Sequence, residues 1–235
     1  MPAQTHSVLV DAFDRDGFAL VPSFADASTV TRLSVAIADH PALSASGCIR
    51  DALSIPAIRA WASEPETLSL ASAVLGASAQ VVRALVFDKT PNANWPVAWH
   101  QDLTIAVAAR RDAAGYGPWS EKAGVSHVQP PAAVLERIAT VRLHLDPCPA
   151  ENGALRVLPG THRNGKLDRG STAACLDSCD PVVCEADAGD VLLMRPLLLH
   201  ASSPSRTPAH RRVVHVEYAA GEPGGGLRWA TNEQC

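Results

Sequence analysis

The stretch Ala188-Gly189-Asp190-Val191-Leu192-Leu193-Met194-Arg195-Pro196-Leu197-Leu198-Leu199-His200 decides how the second half of this chain is read. Its first three residues have turn chemistry. The apolar run after them is too short for a helix and far too short for a bilayer span, so it reads as a buried strand. Similar runs recur at Val81 to Phe87, Ile138 to Leu145, Leu155 to Leu158, Val182 to Glu185 and Val213 to Tyr218, with turns such as Asn152-Gly153 and Pro159-Gly160 between them. Upstream the apolar spacing is mostly helical. Residues 7–15 carry Val8, Leu9 and Phe13; 27–40 follow Asp26 or Ser28 as cap and carry Val30, Leu33, Val35 and Ile37; 65–76 stop at Gly76. Phe18 to Val21 forms an early strand. Helices first and antiparallel strands afterwards predict a mostly β fold with packed α-helices, a jelly-roll barrel.

With 235 residues and 47% hydrophobic content, the chain can bury one sizeable core, and it contains no repeat or low-complexity linker. A single domain is expected, with N-terminal helices at about 1–78, a barrel at about 79–220 and a lid loop at about 106–131. The lid is inferred from the long Gly-, Pro- and charge-rich stretch Arg110 to Pro131. The net charge of −4 and the lack of a basic stripe argue against nucleic-acid binding. Met1-Pro2-Ala3-Gln4-Thr5-His6 lacks a secretory pattern and no apolar run spans a membrane, so a soluble, cytoplasmic protein is expected. The six cysteines (Cys48, Cys148, Cys175, Cys179, Cys184, Cys235) read as free thiols; the trio Cys175, Cys179, Cys184 lacks the paired spacing and the fourth ligand of a zinc site.

Three His-x-acid pairs are present: His100-x-Asp102, His144-x-Asp146 and His215-x-Glu217. An iron centre that must also hold a chelating co-substrate and O₂ takes two imidazoles and one carboxylate on one face, leaving the opposite positions open. In a jelly roll such a pair sits on an early strand and the third ligand returns several strands later. Asp102 leaves 97 residues before His200, enough for that excursion. The His144 pair leaves 53 residues and has Asp146 pinned before Pro147, while no histidine follows His215. His100, Asp102 and His200 are therefore the candidate ligands. A Pro-rich turn after His200 predicts two paired strands that set a residue about ten positions later beside it. A guanidinium there suits the far carboxylate of 2-oxoglutarate.

Five blocks occur in order: Trp99-His100-Gln101-Asp102, Leu145 to Leu155, Leu158-Pro159-Gly160-Thr161-His162, Ala188-Gly189-Asp190 and His200-Ala201-Ser202. Together with the opening Phe13-Asp14-Arg15-Asp16-Gly17-Phe18, they resemble the phytanoyl-CoA dioxygenase family over roughly residues 10–220. The resemblance implies a double-stranded β-helix (a cupin-like jelly roll), Fe(II) at His100, Asp102 and His200, and turnover of 2-oxoglutarate and O₂ to succinate and CO₂. It places Arg211 as the 2-oxoglutarate clamp and Ser202 as its hydroxyl helper. Arg212 is the rival clamp, and Lys89 is a further candidate for the oxoacid. Family halogenases lack the carboxylate, so Asp102 favours hydroxylation or another oxidation.

Substrate candidates follow from position. Thr140, Arg142 and His144 share a face opposite Val141, Leu143 and Leu145; if the apolar face meets the helices, Arg142 and His144 line the barrel. Trp95 and Trp99 precede the metal pair, and Tyr116, Trp119 and His127 lie in the expected lid. The reading is a dioxygenase acting on a small free molecule. Its alternatives are a cupin-type metal enzyme without oxoacid and a non-catalytic jelly-roll binding or sensor domain.

Overall fold

The computed structural model describes residues 3–206 and 210–233; Met1, Pro2, Thr207 to Ala209, Gln234 and Cys235 lie outside the described residues. In chain order the first part holds α1 (Ala3–Asp16), β1 (Phe18–Val21), α2 (Ala27–Ile37), α3 (Pro41–Ser46), β2 (Cys48–Ile49), α4 (Pro56–Ala62) and α5 (Pro65–Leu75). Then come β3 (Ala79–Lys89), β4 (Val97–His100), β5 (Ile105–Val107), β6 (Trp119–Lys122), β7 (Val125–Val128), α6 (Ala132–Leu135) and β8 (Ile138–His144). The chain continues through β9 (Leu155–Val157), α7 (Arg169–Ser178), β10 (Val182–Cys184), β11 (Val191–Met194), β12 (His200–Ser202) and β13 (Arg211–Ala220).

The helix ends follow from local chemistry. Asp26, not Ser28, caps α2 by accepting the Thr29 amide at 2.8 Å, while Gly76 ends α5 in the left-handed conformation that a side chain would resist. α2 stops at Ile37, before the expected residue 40, because Pro41 opens the next helix.

The strands form a jelly roll. A six-stranded sheet runs β1-β11-β8-β13-β3-β2 and a four-stranded sheet runs β10-β9-β12-β4; every pairing is antiparallel. The alternation of β8, β11 and β13 decides what each face meets. Val141, Leu143, Val191, Leu193, Val214 and Val216 pack against α1, α2, α4 and α5 in a cluster that includes Phe13, Leu33, Ile37, Ile58 and Trp61. Those five side chains are at most 1% exposed, and each stabilises the fold by about 1.5–3 kcal/mol. The opposite face looks into the barrel. There Leu192 and Met194 meet Leu155, Val157 and Leu198, while Arg142, His215 and Arg211 look into a cavity further along.

Two expectations are corrected. β12 and β13 do not pair: β12 lies between β9 and β4, and β13 lies between β8 and β3, so Arg211 faces His200 from the other sheet. The segment 106–131 is not an irregular loop either. β5, β7 and β6 form a third sheet, closed by a hairpin turn in which Ala123 and Gly124 both take positive φ. Among the described residues no helix is long and apolar enough to cross a membrane.

Candidate metal centre

β12 pairs with β4 so that His200 stands opposite His100. Beyond β4 the chain turns, and the Asp102 amide donates to the Pro196 carbonyl at 2.8 Å. Gln101, between the two candidate ligands, points away and pins the neighbouring loops. Its side-chain amide donates to Leu197 and Gly165 carbonyls at 2.7 and 2.8 Å and its oxygen accepts the Leu167 amide at 2.8 Å. The result brings one donor atom each from His100, Asp102 and His200 within 4.8 Å of one another, a group able to hold a metal ion.

The imidazole orientation suits that role. Nδ1 of His100 faces the Ala98 carbonyl at 2.8 Å and Nδ1 of His200 faces the Leu198 carbonyl at 2.9 Å, so each ring keeps its proton on Nδ1. Both Nε2 atoms then present lone pairs beside Asp102, each 3.7 Å from one of its oxygens. Burial pushes His200 down to about 4, against the pull of Asp102, which leaves the ring neutral at pH 7. Burial alone would raise Asp102, yet the charges of His200, His215, His100 and Arg142 outweigh it and hold the carboxylate low.

These residues open onto a cavity of about 220 Å³ that also exposes Lys89, Ser202, Arg211 and Arg142. Lys89 and Arg211 are direct partners in the β3–β13 register. The Lys89 ammonium donates to Ser202 Oγ at 3.1 Å and to the Ser203 carbonyl at 2.8 Å. Arg211 donates one Nη to the Gly153 carbonyl, and its buried Nε has no partner among the described residues. Burial, then the adjacent Arg211, brings Lys89 down to about 8. An incoming carboxylate would relieve both the orphaned nitrogen and the crowded charges.

The other candidates separate cleanly. Arg212 points away from the cavity and holds Asp146 through its amide, Nε and Nη2 at 2.8, 2.8 and 2.6 Å, which also removes the His144-x-Asp146 pair from contention. Arg142 lines the cavity and bonds His215 Nδ1 at 2.7 Å. His144 is buried on the same strand face but turns toward the Asp190 carbonyl and does not line the cavity. Trp99 lies under the Arg156 guanidinium, outside the cavity lining, whereas Trp95 lines it. Tyr116 and Trp119 pack into a side cluster with Leu135, Leu227 and Trp229; Tyr116 donates its hydroxyl to the Pro223 carbonyl at 2.5 Å, and neither reaches the cavity. Both belong to the third sheet's own core rather than to a lid over the metal group.

Sequence reading passed over Arg50, Arg83 and Lys122, which also line the cavity. Arg83 was legible, because it alternates with Leu85, Phe87 and Lys89 along β3. Arg50 and Lys122 arrive from β2's end and the β6–β7 hairpin, and only the tertiary fold brings them in.

Jelly-roll barrel, inward-facing His-Asp-His group and a cation-lined cavity define a non-haem metal-enzyme type of site. The phytanoyl-CoA dioxygenase (PhyH) family model matches residues 13–213, and the chain belongs to that family. Among solved structures it is similar to the epimerase SnoN in complex with Fe3+, alpha-ketoglutarate and nogalamycin RO (TM-score 0.70, 21% identity, covering 93% of this chain and 84% of that one). It is also similar to SnoK, a non-heme alpha-ketoglutarate-dependent carbocyclase from nogalamycin biosynthesis (TM-score 0.71, 17% identity, 94% and 85%). A third is EctD from S. alaskensis with 2-oxoglutarate and 5-hydroxyectoine (TM-score 0.69, 20% identity, 96% and 80%). At such identities the likeness carries the fold. No curated protein matches the chain.

Proposed function

We propose that the chain is an Fe(II)- and 2-oxoglutarate-dependent dioxygenase that hydroxylates, or otherwise oxidises, a small organic molecule with release of succinate and CO₂. The observation that carries this is one cavity holding both the His100-Asp102-His200 group and, further in, Arg211 with an unpaired buried Nε beside Lys89 and Ser202. Two imidazoles and a carboxylate fit ferrous iron and leave room for a bidentate oxoacid. When bound, the iron supplies the O₂ chemistry and the oxidative decarboxylation.

The chain's own part is binding, orientation and exclusion of water. His100, Asp102 and His200 hold the metal, with the Nδ1–carbonyl contacts fixing both rings. Arg211 and Lys89 take the far carboxylate of 2-oxoglutarate and Ser202 adds a hydroxyl. Arg142, held by His215, and the ring of Trp95 face the remaining space. The PhyH match runs from the end of α1 to the start of β13, which supports reading 1–235 as one catalytic domain. The five described cysteines are free, which supports a reducing, cytoplasmic setting.

The test is an anaerobic titration with Fe(II) and 2-oxoglutarate, followed by a succinate-release screen over pooled metabolites with ascorbate. A visible charge-transfer band and substrate-dependent succinate are expected. Metal binding without the band favours a cupin-type enzyme that uses no oxoacid, and neither metal nor oxoacid binding favours a sensor domain.

A further inference from the structure

The cavity carries more positive charge than the proposed iron and oxoacid consume. Six cationic side chains line it (Arg50, Arg83, Lys89, Lys122, Arg142 and Arg211) against two carboxylates, Asp102 and Glu217. Four positive charges are left over in a chain whose formal net charge is −4. Fe(II) and the 2-oxoglutarate dianion cancel one another and leave that surplus in place.

The surplus is spatially sorted. Lys89 and Arg211 adjoin Ser202, at the end assigned to 2-oxoglutarate. Arg50, Arg83 and Lys122 cluster at the opposite end, where a second, small recess of about 50 Å³ shares these three residues and adds Asp51 as the further acid. Arg83 is neutralised by Glu217 at 3.2 Å. Among the described residues Lys122 meets only the Thr104 hydroxyl, at 3.3 Å, and Arg50 has no ion pair. Burial, then Arg83 and Arg50, lowers the pKa of Lys122, as expected of cations crowded together. In the same recess buried His127 spends Nδ1 on the Val125 carbonyl at 2.9 Å and leaves Nε2 unpartnered. Between the two charged ends the wall is apolar: Leu85, Phe87, Trp95, Val97 and Leu155.

On the dioxygenase reading, we infer that the substrate is an organic anion, with an apolar body spanning the wall beside the metal group and a carboxylate or phosphate ester seated on Arg50, Lys122 and Arg83. A cleft with low-dielectric walls and one sign of charge concentrates such a ligand and orders it by its charged end. Arg50 and Lys122 are thus substrate-binding residues, and the β6–β7 hairpin is part of the specificity apparatus through Lys122.

The experiment uses the full chain loaded anaerobically with Fe(II) and 2-oxoglutarate, titrated calorimetrically with matched pairs: 3-phenylpropionate against 3-phenylpropionamide, and phenyl phosphate against phenol. Each anion is expected to bind about 10- to 100-fold tighter than its neutral partner. Arg50→Gln with Lys122→Gln should erase that preference while keeping the melting temperature and the visible iron–oxoacid band. A carboxylate-only or phosphate-only preference identifies which headgroup is used and supports the inference. No anion preference in the parent chain, or a preference untouched in the double variant, overturns it. A parent chain that shows no visible iron–oxoacid band, yet has an anion preference that the double variant erases, counts against the dioxygenase reading alone, so the two fail separately.

Discussion

His100 and His200 stand as register partners on adjacent antiparallel strands, their ring centroids 4.2 Å apart and their planes inclined by 51°. Two imidazoles held that close, with Asp102 reaching toward both Nε2 atoms, have more use for a cation than for one another.

His200→Ala is therefore expected to lower Fe(II) affinity by at least about 100-fold, since even the partners that orient such ligands are worth 10- to 100-fold. Far-ultraviolet circular dichroism should stay unchanged, because the mutated ring faces the cavity rather than the helix-packed core. Retained stoichiometric Fe(II) binding in this variant would remove His200 from the metal group.

Arg211 and Arg212 are adjacent in sequence and opposite in fate. Arg211→Ala should weaken 2-oxoglutarate binding by about 10- to 100-fold, the worth of a charge-assisted hydrogen bond in a buried site. Arg212→Ala breaks the mostly buried, two-point pair with Asp146, should cost about 1.5–3 kcal/mol of stability, and should leave oxoacid affinity alone. Equal effects on affinity would contradict the opposite facing of the two side chains.

Lys89 sets a pH dependence. Burial and Arg211 bring its pKa down to about 8 from 10.5, and the charged form is the one that receives a carboxylate. Affinity for 2-oxoglutarate should fall as pH rises through 8 and level off once the ammonium is neutral; Lys89→Met should weaken binding at pH 7 and flatten the profile. In the empty chain the sign for stability is reversed. The folded state binds fewer protons than the unfolded state between about 8 and 10.5, so stability rises with pH across that window. Calorimetric titrations at pH 7, 8 and 9 measure the first effect and urea midpoints the second.

Tyr218 ties the barrel to the helices: fully buried on β13, it donates its hydroxyl to the Ala62 carbonyl at the end of α4, 2.8 Å away. Tyr218→Phe leaves that carbonyl unsatisfied and should cost about 1–3 kcal/mol in urea denaturation, with Fe(II) and 2-oxoglutarate loading unchanged.

What was legible in the sequence follows from period. Alternation in Ile138 to His144 and Val213 to Tyr218 marks strands with one face for the helices and one for the interior, because successive side chains must point to opposite sides of a sheet. The β6–β7 hairpin escaped notice because Trp119 to Lys122 and Val125 to Val128 are short and mixed in polarity, and pairing, not composition, makes them strands. The same shortness hides that Tyr116 and Trp119 pack with Leu135, Leu227 and Trp229 and do not line the cavity.

The sequence by itself determined the strand faces and the ordered blocks that mark the family, which depend on residues near one another in the chain. Only the tertiary structure decided that Arg211 rather than Arg212 enters the cavity, that β12 and β13 belong to different sheets, and that Arg50, Arg83 and Lys122 converge at one end. Those outcomes depend on pairing between distant strands, and local propensity does not encode which distant neighbour a strand will take.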